Sequence, residues 1–167
     1  MDKILYHISD TIIHKKYVLD SANILCKYLF SVDKKELGLK LVQRAADHDN
    51  SKFESKELLD IASISDNFSN FKDANLLLEN EDLEKIKEHW KNNRHHPEHF
   101  SNIENMEELD ILEMICDWHA RSKQHETDLL EFVKVRQNNR FHFPKHMFEK
   151  ILFYCNIIVN EQKKESL

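Results

Sequence analysis

His14-Lys-Lys-Tyr-Val18-Leu-Asp-Ser-Ala22-Asn-Ile-Leu25-Cys-Lys-Tyr-Leu29-Phe30 is the stretch whose reading decides the fold. Val18, Ala22, Leu25 and Leu29 recur at the three- and four-residue steps that place side chains on one helical face. The pattern predicts a helix over about 10–30, with His14 one turn before Val18 on the same inner stripe. A second helix is expected over about 34–47. Leu37, Leu41 and Ala45 line its inner face, and the next step of that stripe lands on His48. Two histidines therefore stand at the ends of apolar faces, where a free imidazole is poorly solvated.

Outward from these two helices the periodicity continues. Asn50 or Ser51 is expected to cap a third helix over about 54–64, with Glu54 as a capping-box partner. The polar and aromatic run 63–70 reads as a loop. A fourth helix over about 73–92 ends before His95-His96-Pro97, because proline forces the residue before it out of helical angles. A fifth is expected over about 106–121, with Ile111, Met114, Ile115 and Trp118 inward, and a sixth over about 126–138. Pro144 suits a helix start, and a last helix over about 145–162 carries Phe148, Ile151, Leu152, Cys155, Ile158 and Val159. The charged tail 161–167 is expected to fray. The fold class is all-α, a single domain of six or seven helices over 1–167, with no repeat or linker dividing it.

Composition agrees. The 167 residues include one glycine, two prolines and eleven histidines. Average usage would put about a dozen glycines in such a chain. With Gly38 alone, neither a phosphate-cradling GxxxxGKS loop nor a GxGxxG dinucleotide turn can be built. Hairpin-rich β folds are disfavoured for the same reason. A formal net charge of −6 argues against general nucleic-acid binding, which needs a basic face. No apolar run has the length of a membrane span, and the first residues lack a signal-peptide layout. Cys26, Cys116 and Cys155 form no CxxC pair, which excludes a zinc ribbon and points to a reducing, cytoplasmic setting.

Four features carry the chemistry. They are His48-Asp49 at the end of an apolar helix, His14 on an earlier inward face, Asp117 among bulky apolar neighbours, and the run from His89 through His95, His96 and His99. Imidazole nitrogens and carboxylate oxygens are the ligands that hold first-row divalent metals, and ligands from several helices can converge in a bundle core. Asp49 could bridge two ions with its two oxygens, and a water between them would be activated near neutral pH to attack phosphorus. His7 competes with His14 as the ligand from the first helix, and the spacing to His48 favours His14. Arg121, one turn beyond Asp117, is the alternative partner for that buried carboxylate. Glu113, one turn before it, is read as an acceptor orienting a ligand histidine, as a proton shuttle, or as a member of a surface ion pair. Arg94 and Lys91 are candidates for positive charge beside the pocket. His99 and His125 read as solvated, and Trp90 and Trp118 as core.

The order His14, His48-Asp49, Asp117 on separate helices resembles the HD-domain superfamily of metal-dependent phosphohydrolases. His48-Asp49-Asn50-Ser51-Lys52 resembles its HDxxK variant, in which the lysine faces the substrate phosphate. Taken together, HDxSKF, HWxxNxHHPE and EMxxDWxAxS are similar to a family of small HD-like proteins of bacteria and phages, over about 6–123. The resemblance implies an HD-like bundle with a metal site of His14, His48, Asp49 and Asp117. It implies a second ion on Asp49 with His89 and His96, joined by His95. His89 and His95 are closer in sequence than in the larger phosphodiesterases of the superfamily, and no cyclic-dinucleotide specificity follows.

The function expected is hydrolysis of a phosphate ester or anhydride, a nucleotide first among substrates, by a metal-bound hydroxide. Asp49, Lys52 and Glu113 serve the reaction, and Lys52 neutralises charge on a phosphate oxygen. The cofactor expected is one or two divalent transition-metal ions drawn from Mn, Fe, Co, Ni or Zn, with Mg as an alternative. The partner expected is a small-molecule phosphate substrate, with no membrane and with a homodimer left open. The alternatives are an HD-type di-iron oxygenase and a non-catalytic HD-like protein that binds a nucleotide or a partner.

Overall fold

The computed structural model describes residues 2–68 and 80–165. It contains seven α-helices and, among the described residues, no strand: α1 Asp2–Ser31, α2 Lys35–Asp47, α3 Ser55–Phe68, α4 Asn80–Asn92, α5 Glu108–Gln124, α6 Leu129–Arg136 and α7 Lys145–Glu165. The all-α reading holds. None of these helices is long and apolar enough to cross a membrane.

Helix α1 begins well before residue 10. Its inner face continues the apolar stripe backward as His7, Thr11 and His14, all buried. Those side chains are polar, so apolar periodicity could not register the first turns. Helix α2 packs on α1 through Gly38, whose absent side chain admits Cys26 and Phe30 of α1. A Cβ built there would stand 3.1 Å from Cys26 Sγ and 3.2 Å from the Phe30 ring.

The expected helix ends shift for local reasons. Asn50 and Ser51 do not cap α3; they belong to a 3-10 turn, Asn50–Phe53, that inserts before it. Helix α3 runs through the expected loop as far as Phe68, while 69–70 lie outside the described residues, as do 73–79 of the expected fourth helix. Helix α5 starts two residues late because Glu107 and Asp110 form a reciprocal capping box. It runs on to Gln124, beyond the expected end at 121. Glu126 then turns left-handed, and the Asp128 side chain accepts from Glu131 N, so α6 starts at Leu129. After α6 the chain forms a π turn, Gln137–Phe141, where helix was expected only to 138. Pro144 precedes α7 as predicted, but α7 continues helical to Glu165 instead of fraying from 161.

Two apolar clusters result. The main core gathers α1, α2, α5, α6 and α7 around residues such as Leu25, Leu41, Leu112, Ile115, Trp118, Ile151 and Ile158. A small second cluster, Ile61, Ile64 and Ile86 with Trp90 against it, joins α3 to α4. Helix α3 also packs on α1, which attaches the pair to the bundle.

A buried polar link ties α1, α5 and α7. His119 Nδ1 lies 2.7 Å from Ser21 Oγ, and Gln162 Nε2 donates to His119 Nε2 at 2.8 Å. Burial, with Lys123 adding to it, lowers the imidazole to about 4. An unfolded histidine takes up its proton near 6.5. Keeping His119 neutral therefore costs no stability above about pH 6.5, and stability falls as pH drops toward 4, by about 3 kcal/mol in all. In His119→Gln, the fall of the urea-unfolding midpoint across that window should be shallower than in the wild type.

Candidate metal centre

The centre forms where helix ends meet. Helix α2 stops at His48, whose backbone is extended (φ −49°, ψ 130°). Asp49 then adopts the left-handed conformation at φ 55°. For a residue with a side chain this costs about 1–2 kcal/mol, and aspartate is among the few that tolerate it. The bend turns the Asp49 carboxylate back into the bundle. Lys15 of α1 secures the bend by donating to the carbonyls of His48 at 2.7 Å and Ala46 at 3.2 Å, and to Asn50 Oδ1.

Every residue assigned to the metal site is brought together. One group is His14, His48 and Asp117; a second is Asp49, His89, His95 and His96. Asp49 stands between them. Its Oδ1 is 3.5 Å from His89 Nε2 and 3.6 Å from His95 Nε2, while Oδ2 is 3.5 Å from His48 Nε2. Asp117 Oδ1 lies 2.9 Å from His14 Nε2 and 3.7 Å from His48 Nε2. His96 Nε2 faces His89 Nε2 at 3.0 Å. His7 is buried on the same face of α1 but belongs to neither group, so His14 is the α1 member.

Three of the imidazoles share one orientation. His14 Nδ1 donates to Gln124 Oε1 at 2.9 Å, His48 Nδ1 to Glu113 Oε1 at 3.1 Å, and His89 Nδ1 to Glu57 Oε1 at 2.6 Å. His95 Nδ1 lies 3.5 Å from the same Glu113 oxygen. With the hydrogen on Nδ1, the Nε2 of His14, His48 and His89 turns a lone pair inward. The Nε2 atoms of His14, His48 and His95, and Asp49 Oδ1, are buried without a hydrogen-bond partner. Buried acceptors facing acceptors are costly unless a cation stands among them.

Electrostatics point the same way. Burial would lower the His48 imidazole, but Asp49, Asp117 and Glu113 outweigh it and raise it to about 9. Burial would raise the Asp49 and Asp117 carboxyls. His48, Lys52 and His89 around Asp49, and His14 and His48 around Asp117, instead hold both well below the usual range. His14, buried and near Arg121, is lowered to about 4 and stays neutral, the form in which an imidazole can bind a metal. The centre thus demands positive charge at the point where its nitrogens and oxygens converge. A divalent ion meets that demand with the donor set of a first-row transition metal.

Residues around the ligands fix them in place. Burial would raise Glu113, but its bonds to His48 and His95 bring it to about 2, so it remains an ionised acceptor. Arg44, one turn before His48, contacts Glu113 Oε2 and reaches Asp110 at 2.7 Å. His48, His95 and Glu113 also form a third grouping, on the hydrogen-bonded side of the two rings. The Arg44 guanidinium already supplies a cation there. Arg94 does not add charge to the pocket as expected; it grips Asp110 through two bonds, at 3.1 and 2.9 Å. Arg121 turns to Gln124 at 3.2 Å and to Asp10 at 3.6 Å. Lys52 is buried, 2.6 Å from Asp49 Oδ2.

Sequence reasoning missed Glu57, Gln124, Arg44 and Lys15. Only Arg44 left a signal, one helical turn before His48. The other three are set by packing between helices.

The model of a protein family described as "Family of unknown function (DUF5662)" matches residues 3–164. No curated protein and no solved structure gives a match.

Glu113→Gln should keep the helices and weaken ion affinity about 10- to 100-fold, because outer partners of ligand histidines typically carry that much. Chelator competition on the purified protein measures it.

Proposed function

We propose that this chain, which belongs to the DUF5662 family, is a metal-dependent phosphohydrolase of the HD type, acting on a phosphate ester or anhydride and most readily on a nucleotide. The observation that carries the reading is Asp49, whose two carboxylate oxygens face two separate sets of imidazole nitrogens. His14, His48 and Asp117 would hold one ion and His89, His95 and His96 a second, with Asp49 between them. Mn, Fe, Co, Ni or Zn suits this donor set, and Mg is an alternative for the oxygen ligands. Bound ions would supply Lewis-acid polarisation of a phosphate and a lowered pKa for water.

The chain's own groups provide the rest. Lys52 has three N–H donors and directs one to Asp49 Oδ2 at 2.6 Å. The others would take a non-bridging phosphate oxygen beside Asp49. Such a contact strengthens as charge grows on the phosphate, which is where it aids the reaction. Glu113 stays ionised and orients His48 and His95, which argues for positioning and against proton donation. With a single glycine in the chain, phosphate recognition rests on side chains and ions rather than on a backbone cradle. HD-type oxygen activation at a di-iron pair would use the same ligands, and it is separated by its product.

Elemental analysis should find transition metal in the purified protein. A screen of nucleotides and generic phosphate esters with added Mn, Co, Ni and Mg should release phosphate. Oxygen uptake without phosphate release would replace this reading with the oxygenase. Metal uptake with neither activity would replace it with a binding protein. His48→Ala/Asp49→Ala should lose metal and activity with helicity intact, since both residues lie beyond the end of α2. Lys52→Ala should retain metal and lose about 10²-fold in turnover.

A further inference from the structure

The two ion positions differ in what holds their ligands. His14 and Asp117 sit within α1 and α5, and His48 directly follows α2; these three helices pack together in the main core. His95 and His96 stand instead in the irregular run after α4. His89 stands on α4, whose apolar face belongs to the small cluster of Ile61, Ile64 and Ile86. The second position therefore draws His89 from the helix of the small cluster and Asp49 from the turn that follows α2 of the main core.

One side chain touches the flanks of this span. Arg140, in the π turn after α6, contacts Glu98 with its Nη2. Its guanidinium lies 4.8 Å from the centre of the Trp90 ring and 5.0 Å from that of Phe141. Glu98 is two residues beyond His96, and Trp90 directly follows His89. Phe141 stacks on Trp118 in the main core, at 5.8 Å between ring centres. Trp90 packs on the small cluster. Arg140 is thus held between an aromatic ring of each cluster, at the place where the second set of histidines leaves helix. The other Glu98 oxygen is buried without a hydrogen bond, so the ion pair with Arg140 is what offsets burial of this carboxylate. A planar guanidinium can stack and pair at once, which lysine cannot.

We propose that Arg140 is a positioning residue for the second ion. By gripping Glu98 and Trp90 together it holds His89, His95 and His96 in register with Asp49, and the second ion binds tightly only while this clip is closed. The inference rests on the two-position reading of the centre and is independent of the substrate.

The test uses full-length protein stripped with a chelator and titrated with Mn(II). Bound ions are counted by elemental analysis, and electron paramagnetic resonance separates a spin-coupled pair from an isolated ion. The wild type should take two ions and give the coupled signal. Arg140→Ala should keep the first ion at unchanged affinity, lose about 10- to 100-fold for the second, and give the isolated-ion signal. Arg140→Lys keeps the charge opposite Glu98 without the stack and should fall between them. Glu98→Gln should match Arg140→Ala, and combining the two should add nothing, as for two halves of one contact. The proposal is overturned if Arg140→Ala binds both ions as the wild type does, weakens both equally, or if the wild type never takes a second ion. If Arg140→Ala does not fold, Arg140→Lys and Glu98→Gln decide by the same readings. Phosphate release is not measured, so loss of the phosphohydrolase reading would leave this result unaffected.

Discussion

The centre depends on keeping the Asp49 carboxylate buried between imidazole nitrogens. An ionised carboxylate in an apolar bundle is tolerable only with compensating positive charge and fixed partners. Here the compensation comes from His48, Lys52, His89 and His95. The left-handed backbone at Asp49 is the local cost of aiming it inward, and Lys15 offsets part of that cost by binding the carbonyls that α2 leaves open. The two oxygens of Asp49 face nitrogens of both sets, while Glu113 links His48 to His95 on the other side of their rings.

Around that carboxylate the protein applies one rule repeatedly. The rings of His14, His48 and His89 are each pinned by an acceptor at Nδ1, so that Nε2 faces inward. The acceptors are of different kinds: Gln124 for His14, Glu113 for His48, Glu57 for His89. Two of them are themselves held, Gln124 by donating to Asp10 at 2.8 Å and Glu113 by Arg44. Rings anchored this way lose little further freedom when they bind an ion, which favours binding by preorganisation.

The anchoring is uneven. The first position is built on three helices of one core. The second hangs on an irregular segment and on α4, whose apolar contacts lie in another cluster. Local stability follows the number of buried apolar contacts, so on the proposed two-ion reading the second position would be the softer of the two. The Arg140, Glu98 and Trp90 contacts lie where that softness would matter most. They also connect the C-terminal elements, which carry no ligand, to the ligand-bearing loop.

Much was determined by the sequence alone. The all-α class followed from helical periodicity and one glycine, because propensity and amphipathic spacing are local properties. The seven residues of the candidate centre were legible because imidazole and carboxylate suit a metal, because His14 and His48 end apolar stripes, and because their order resembles the HD pattern. Helix ends were less legible. The first turns of α1 present His7 and Thr11 to the interior, where polar side chains leave no apolar signature, and α3 runs on through a polar stretch read as loop. Only the tertiary structure decided which nitrogen faces inward, that Arg94 serves Asp110 and Arg121 serves Asp10 and Gln124, and that Arg140 reaches Glu98. These are contacts between residues distant in the chain. Their partners are chosen by helix packing geometry, which no local pattern of side chains encodes.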